Sequence, residues 1–375
     1  MMQTHEAQRG EYNFLPLEKV IFGAGCASQI AAEADRLGCR RALVITGQSL
    51  ATRTPLIRKI EGLLGTRHAA TFSDIRQHVP ESGIAQAVEL ARACKVDLLV
   101  SVGGGSPIDA AKAVAHRLAQ QAASNAAYLP HIAISTTLSA AEFSHLAGFT
   151  DESRKAKTGF QDPRATPRVV ILDPEMTLHT PAWLWLASGM RAIDHAVETL
   201  YTPGYHPVND RLALEAIRTL FAWLPRSRSE PASLDARLEC QLAAWMSYFG
   251  PGSVNAAAGL SHTIGKRIGA TFDVPHGVTS CILLPEVMRA KADTPAAAQL
   301  APMAQALQLV TPQASDREAA WAAAQAVADL VKQLELPNRL RDLQVPLEAL
   351  DGIAAATVSD PPARLEVLEI LKRAW

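Results

Sequence analysis

The sequence predicts an α/β domain with a parallel sheet, followed by an all-helical domain. In the first half, short aliphatic runs alternate with longer segments of helical periodicity, which is typical of a parallel sheet covered on both faces. After about residue 180, helical patterns follow one another without a convincing strand. A length of 375 residues also favours two domains, which we place at 1–178 and 179–375.

The predicted strands and helices of the first half follow in order along the chain. Aliphatic or β-branched runs predict strands over 40–47, 68–75, 96–103, 131–137 and 169–177. Apolar residues at helical spacing predict helices over 54–65, 84–95 and 107–119.

Helical patterns with short turns fill the second half, and the alanine-rich stretch 291–330 favours helix further. They predict helices over 182–200, 208–225, 233–249, 253–268, 278–291, 295–308, 315–334 and 345–356. The two predicted domains join near 178–182. A cleft between domains is a common place for a small-molecule site, so we expect one there.

Composition narrows the class of protein. A formal net charge of −1 argues against nucleic acid or an anionic membrane surface as the main partner. The five cysteines form no CxxC pair, which is typical of reduced thiols in a cytosolic protein. No signal-like h-region opens the sequence, and no apolar run is long enough to span a membrane. We expect a soluble, cytoplasmic protein.

The stretch SVGGGSPIDAAK, residues 101–112, is the sharpest cofactor signal. Gly103, Gly104 and Gly105 follow a predicted buried strand and allow a tight turn with room for a phosphate. The helix that follows offers unpaired N–H groups to an anion, and Ser106 is the expected N-cap. A plain strand-to-helix turn is the alternative, since the stretch matches neither the GxGxxG nor the P-loop pattern.

A second signal comes from the hydroxyl residues that end the strand predicted over 131–137. Ser135, Thr136, Thr137 and Ser139 lie where ligands bind in open α/β sheets. Hydroxyls that cap a turn are the alternative. Together the two signals favour a dinucleotide.

Several motifs, in this order, resemble those of the iron-containing alcohol dehydrogenases: GGGSPIDAAK, VILDPEMT, GMRAIDHAVE and GLSHTIGKRIGATFDVPHG. Within that superfamily the chain is most similar to the maleylacetate reductase branch, on the evidence of QHVP, TTLSAAEF, LYTP and the segment 150–174. The resemblance implies a dehydroquinate synthase-like fold, in which a Rossmann-like NAD(P)-binding domain and a helical domain enclose the active site. It also implies a homodimer.

The resemblance assigns cofactor-binding roles residue by residue. The glycines Gly103, Gly104 and Gly105, with Ser106, would hold the pyrophosphate, and Asp109 and Lys112 would lie on the same helix. Contacts to the cofactor would come from Thr136, Thr137 and Ser139, and Lys157 would approach the nicotinamide ribose. Many relatives bind the adenosine ribose with an Asp where this chain has Gly47, so the choice between NADH and NADPH stays open.

Metal-binding members of the family use one Asp and three His. Here Arg191 occupies the Asp place, and we match Ala258 to one of the histidines. Two of the four ligands, His195 and His276, are then expected to remain, and the positive charge of Arg191 would lie beside them. Catalytic zinc usually needs three protein ligands, so we expect no catalytic metal. Any residual metal would bind His195 and His276.

Without a metal, Arg191 is expected to hold an anion, because a guanidinium matches a carboxylate or an enolate. The catalytic candidates are Arg191, His195, His262 and His276, with His262 or His195 as the proton donor. An ion pair of Arg191 with Asp194 or Glu198 is the structural alternative.

The leading hypothesis is an NAD(P)H-dependent reductase of a carboxylate-bearing substrate, of the type that converts maleylacetate to 3-oxoadipate. An alcohol dehydrogenase or aldehyde reductase is the second hypothesis. A repurposed, non-catalytic nucleotide-binding protein is the third.

Overall fold

The computed structural model describes residues 12–122, 127–154, 156–202, 206–252 and 259–375. Its first half is built on a six-stranded parallel sheet with the strand order β1-β8-β5-β4-β2-β3. The strands are β1 (Lys19–Phe22), β2 (Ala42–Ile45), β3 (His68–Phe72), β4 (Leu98–Gly103), β5 (His131–Ser135) and β8 (Val169–Leu172). The predicted parallel sheet is therefore confirmed.

Five helices connect these strands: α1 (Ile30–Arg36), α2 (Gln48–Arg53), α3 (Leu56–Leu64), α4 (Glu81–Ala93) and α5 (Gly105–Gln121). They cover both faces of the sheet. On β2, Ala42 and Val44 pack into one apolar cluster, and Leu43 and Ile45 pack into the cluster on the opposite face. This two-sided burial explains why the strand reads as a continuous aliphatic run.

The second half, from Ala182 onward, consists of helices joined by turns and short 3₁₀ segments. These helices are α6 (Ala182–Tyr201), α7 (Pro207–Ser229), α8 (Leu234–Ser247), α9 (Phe249–Gly252), α10 (Leu260–Phe272), α11 (His276–Ala292), α12 (Ala297–Ala306), α13 (Asp316–Gln333), α14 (Leu350–Thr357) and α15 (Pro361–Ala374). Their inner faces form the largest apolar cluster, with α6 and α11 at its centre. No helix in the described ranges is long and apolar enough to cross a bilayer.

The structure adds elements that the sequence analysis does not predict. An antiparallel hairpin, β6 (Leu146–Asp151) and β7 (Ala156–Gln161), lies outside the main sheet. Strand β1 and helices α1 and α15 are also new. The predicted helix over 253–268 begins at Leu260 in the structure, and residues 253–258 lie outside the described part.

Candidate active site

A large cleft of about 2520 Å³ lies between the sheet and the helices of the second half. Its walls include the carboxyl ends of β2, β4 and β5, where open α/β sheets bind ligands. The opposite wall comes from α6, α10 and the start of α11. The cleft therefore has the position expected from the sequence.

The glycine loop forms the turn between β4 and α5. Gly103 has a φ of +146°, and a Cβ there would lie 2.8 Å from Cγ of Pro107. It is buried at the end of β4 and does not itself line the cleft, unlike Gly104, Gly105 and Ser106. The predicted N-cap is wrong, because Gly104 caps α5 and Ser106 lies inside its first turn.

Unpartnered polar atoms face this loop. The Thr137 hydroxyl lies close to Gly104, where a Cβ would approach the Thr137 methyl to 3.0 Å. The hydroxyls of Thr137 and Ser139 are buried and make no hydrogen bond to any described residue. Buried polar groups normally have partners. A dinucleotide would supply them, and the first N–H groups of α5 would meet its phosphates. These residues fit the expected cofactor.

Of the remaining predicted residues, Gly47, Asp109, Thr136 and Lys157 also line the cleft, whereas Lys112 is buried behind it. Gly47 is the N-cap residue of α2, and the backbone oxygen of Thr136 accepts a hydrogen bond from the Thr180 hydroxyl at 2.7 Å. Asp109 accepts a hydrogen bond from the Gly148 backbone N–H at 3.2 Å and joins α5 to the β6–β7 hairpin. The Lys112 ammonium is buried and donates to two backbone carbonyls, at Ala141 and Leu146.

Arg191 lies on α6 in a buried polar network. Its Nη1 donates to Oδ2 of Asp194 at 3.0 Å and to the Ser280 hydroxyl at 2.9 Å. The hydroxyls of Ser280 and Ser261 donate to the same Asp194 oxygen, at 2.6 Å and 3.1 Å. Nη2 lies 2.6 Å from Nε2 of His262. The ion pair of Arg191 with Asp194 is thus present, and the Nε–H has no partner in the described part of the chain.

Three histidines surround this guanidinium. The ring of His195 lies 5.8 Å from that of His262, and His276 begins α11 with its Nε2 3.3 Å from Nζ of Lys157. Burial, together with the Arg191 charge, lowers the pKa of His195 and His262 well below the usual value. Burial also lowers the pKa of His276 to about 2. All three imidazoles are therefore neutral near pH 7.

The spacing of His262 and His276 changes how the sequence aligns with the metal-binding pattern of the family. In the family pattern H-x3-H-x9-H, the first and last histidines bind metal. That spacing fits this chain with His262 first, Lys266 in the middle and His276 last. The match of Ala258 to a ligand place is wrong, and Ala258 itself lies outside the described residues. Three ligand histidines are retained, and the Asp alone is replaced, by Arg191.

Glu198 lies one turn after Asp194 on α6, and its side chain has a structural role. Its carboxylate accepts hydrogen bonds from the backbone N–H groups of Gly259 at 3.1 Å and His262 at 2.9 Å, and so caps α10. Burial and the nearby Asp194 charge raise the pKa of Glu198 to about 8. Its pairing with Arg191, one of the two alternatives, is not seen.

The donor set does not fit a divalent cation. The Arg191 guanidinium lies against His262, on the side where a cation would need the imidazole lone pair. Asp194 is paired with Arg191, and Glu198 caps a helix. Within the described ranges, no group of three or more His, Cys, Asp or Glu side chains has a geometry that would hold a metal ion.

Two features of the cleft escape the sequence analysis. Lys266 lines it one turn after His262 on α10. Nε2 of His78, within the QHVP motif, donates to the Asp273 carboxylate at 2.9 Å. His78 and Val79 both have positive φ, and Thr150 holds them through hydrogen bonds to their carbonyls. The H-x3-K-x9-H spacing was a signal for Lys266, whereas the His78 contact has none in the sequence.

Comparison with known proteins places this site in a family. A model of the iron-containing alcohol dehydrogenases matches residues 17–174, and a model of the C-terminal part of that family matches residues 185–374. Maleylacetate reductase 2 of Cupriavidus pinatubonensis is 37% identical over 275 residues, which cover 73% of this chain and 72% of that protein. Maleylacetate reductase of Rhizobium sp. strain MTP-10005 is 32% identical over 352 residues, 92% of this chain and 90% of that protein.

Solved structures agree. The crystal structure of the Rhizobium maleylacetate reductase has a TM-score of 0.83 and 30% identity, with 98% of both chains covered. An iron-containing alcohol dehydrogenase from Corynebacterium glutamicum has a TM-score of 0.85 and 28% identity, covering 98% of this chain and 97% of that one. The chain belongs to the iron-containing alcohol dehydrogenase family, with its nearest resemblance to the maleylacetate reductase branch, and is an NAD(P)-dependent oxidoreductase.

Proposed function

We propose that this enzyme reduces maleylacetate to 3-oxoadipate with NAD(P)H and without a bound metal. The observation that carries the proposal is the Arg191 guanidinium among three neutral histidines, in the cleft of a chain that is 31–37% identical to several maleylacetate reductases. Gly47, the residues of the glycine loop, Asp109, Thr136, Thr137, Ser139 and Lys157 are proposed to bind the cofactor, and Arg191, His195, His262 and His276 to serve the reaction.

The chemistry requires a group that stabilises negative charge on oxygen. When bound, the reduced nicotinamide supplies a hydride. The substrate accepts it at the double-bond carbon β to its carbonyl, and the electron pair moves onto the carbonyl oxygen as an enolate. The free Nε–H of Arg191 is available to that oxygen, and a fixed donor aimed at developing charge is an effective stabiliser. A proton taken from solvent then completes the saturated product, and the neutral imidazole of His195 or His262 relays it by accepting one proton as it gives up the other.

The same residues support the proposed metal independence. In the metal-dependent reaction a cation acts as a Lewis acid toward the substrate oxygen. Here a guanidinium of the chain lies beside His262, and the Asp ligand is missing. We propose that Arg191 serves as the cation.

The proposal also covers the domain organisation, the assembly and the cellular location of the protein. The division of the chain into domains at 1–178 and 179–375, a homodimeric assembly and a cytoplasmic location are proposed from the family and the composition.

An assay of cofactor oxidation tests this function against its alternatives. Maleylacetate, saturated 2-oxo acids and simple aldehydes are supplied in turn with NADH or NADPH. We expect maleylacetate to be reduced with the highest kcat/KM. Faster reduction of aldehydes would favour an alcohol dehydrogenase instead. If neither cofactor raises the melting temperature of the protein, both enzymatic hypotheses fail and a repurposed protein is favoured.

A further inference from the structure

We propose that Lys266 binds the second carboxylate of the substrate and makes the enzyme selective for dicarboxylates over monocarboxylates. This inference rests on the proposed function and extends it to a residue outside the reacting centre. Lys266 would not take part in hydride or proton transfer.

The position of Lys266 on α10 places it beside the reacting centre. It follows His262 by four residues, so both side chains lie on the same face of the helix. His262 contacts the Arg191 guanidinium, and Lys266 lines the same cleft. The two cations therefore flank His262, and an extended substrate held by Arg191 at its carbonyl would reach Lys266 with one end.

Lys266 is also available for a ligand. It makes no hydrogen bond and no ion pair with any described residue, and it is exposed to the cleft. Burial by the surrounding protein and the charge of Arg191 lower the pKa of Lys266, against the opposing charges of Glu198 and Asp109. An anion between Lys266 and Arg191 would relieve the repulsion of these two cations.

The charges around the cleft favour an anionic occupant. In the described part, the lining includes two carboxylates, Asp74 and Asp109. Asp74 lies 3.6 Å from Arg76, and Asp109 lies 3.4 Å from the Lys112 ammonium. Both belong to the sheet side of the cleft, whereas Lys266 belongs to the helical side. The charges of Asp109 and of the buried Glu198 act on Lys266 from a distance, but neither carboxylate forms a hydrogen bond or an ion pair with it.

The cofactor is the competing occupant. Its phosphates are expected at the start of α5, on the sheet side, whereas Lys266 shares a helix with His262. The substrate is thus the favoured partner. A role toward the cofactor would raise the KM for NADPH or NADH, which the experiment measures.

The first experiment compares two substrates of the Lys266→Met variant. Maleylacetate carries both carboxylates, and 4-oxopent-2-enoate keeps the enone and its adjacent carboxylate but lacks the second one. We expect kcat/KM for maleylacetate to fall about 30-fold, as for the loss of a hydrogen bond between charged groups. The value for 4-oxopent-2-enoate should change little, and Lys266→Arg should restore most of the preference.

The control is Lys332→Met, which removes an exposed lysine of α13 that pairs with Asp329 outside the cleft. It should leave both substrates unaffected. An equal loss for both substrates in Lys266→Met, or a raised KM for the cofactor with unchanged selectivity, would overturn the proposal.

A binding measurement separates this proposal from the proposed function. Adipate and hexanoate have six carbons each and differ in one carboxylate, and neither is reduced. With oxidised cofactor present, the wild type should bind adipate more tightly than hexanoate, and Lys266→Met should lose that difference. If the wild type binds adipate preferentially but does not reduce maleylacetate, the proposed function fails and the carboxylate site stands. If adipate and hexanoate bind equally to the wild type, the carboxylate site fails.

Discussion

Arg191 shows how one side chain changes the chemistry open to a site. Helices α6, α10 and α11 each place one histidine around Arg191. A metal-ligating side chain in the place of Arg191 would therefore complete a metal site. The guanidinium instead pairs with Asp194 and Ser280, and its Nε–H has no partner among the described residues. Because Asp194 also accepts from two serine hydroxyls, the network fixes the orientation of the guanidinium, as effective charge stabilisation requires.

The substitution Arg191→Asp should convert this site into a metal site. It would provide a carboxylate with His195, His262 and His276, a set of four ligands that suits zinc or iron. We expect elemental analysis to find near-stoichiometric metal in this variant and substoichiometric metal in the wild type, whose activity should survive a chelator.

Arg191→Asn is the matched control, because it removes the cation without adding a carboxylate, and it should bind less metal than Arg191→Asp. Stoichiometric iron or zinc in the wild type, with activity lost on chelation, would contradict the role given to Arg191.

At the level of secondary-structure elements, a strand is easier to predict from the sequence when it is buried on both faces. The strands β2, β4, β5 and β8 are buried on both faces and read as aliphatic runs, so their pattern suffices. Strand β1 lies at the sheet edge and is only partly buried, and the β6–β7 hairpin is half-exposed and contains two glycines. Such strands lack a strong pattern. Helix α15 differs, because its Pro-Pro start and apolar spacing were present in the sequence.

The residues of the candidate site also fall into those that the sequence predicts and those that it does not. Residues next to a recognisable motif, such as Gly104 and Thr137, come together in the cleft as expected. The ion pair of Arg191 with Asp194 follows from their spacing on α6, whereas the contact of Arg191 with His262 and the capping role of Glu198 depend on how α6 packs against α10. The spacing did contain the position of Lys266, and only the wrong register concealed it.

The short turn after β5 contains a buried carboxyl, Glu142, whose Oε2 has no partner among the described residues. Burial raises the pKa of Glu142 to about 7, against the opposing effects of Ser135 and Lys112. A raised pKa in the folded state means that the stabilising contribution is complete below the unfolded value and is lost as pH rises through the folded one.

Glu142→Gln should therefore change how stability depends on pH. Glutamine does not titrate, so the free energy of unfolding of the wild type should fall relative to the variant by about 2 kcal/mol between about pH 5 and about pH 8. Urea denaturation at both pH values measures this difference. The exposed Glu348→Gln serves as control, and a pH-independent difference for Glu142→Gln would contradict the assignment.

At the level of the whole molecule, the edge of the sheet formed by β1 is relevant to how copies of the chain associate. Strand β1 pairs with β8 on one side, and within the described residues no strand pairs with its other side. Phe22 on this strand is 55% exposed. An exposed edge strand with an apolar side chain invites pairing with another copy.

We expect light scattering after size-exclusion chromatography to give twice the chain mass of 40.2 kDa. Phe22→Lys places a charge on the edge and should shift the protein toward the monomer, because edge lysines oppose strand pairing. A dimer that is unaffected by this change would mean that another surface forms the contact. A monomeric wild type would refute the homodimer itself.

The Arg191 guanidinium also has a consequence for the life of the enzyme in a cell. In the role that we propose for it, Arg191 is a cation that belongs to the polypeptide, so it is present as soon as the chain has folded and needs no supply or insertion step. It cannot dissociate, exchange for a competing ion or be oxidised to an inactive valence. Scarcity of iron or a burst of peroxide, which would disable a ferrous site, would leave this positive charge in place.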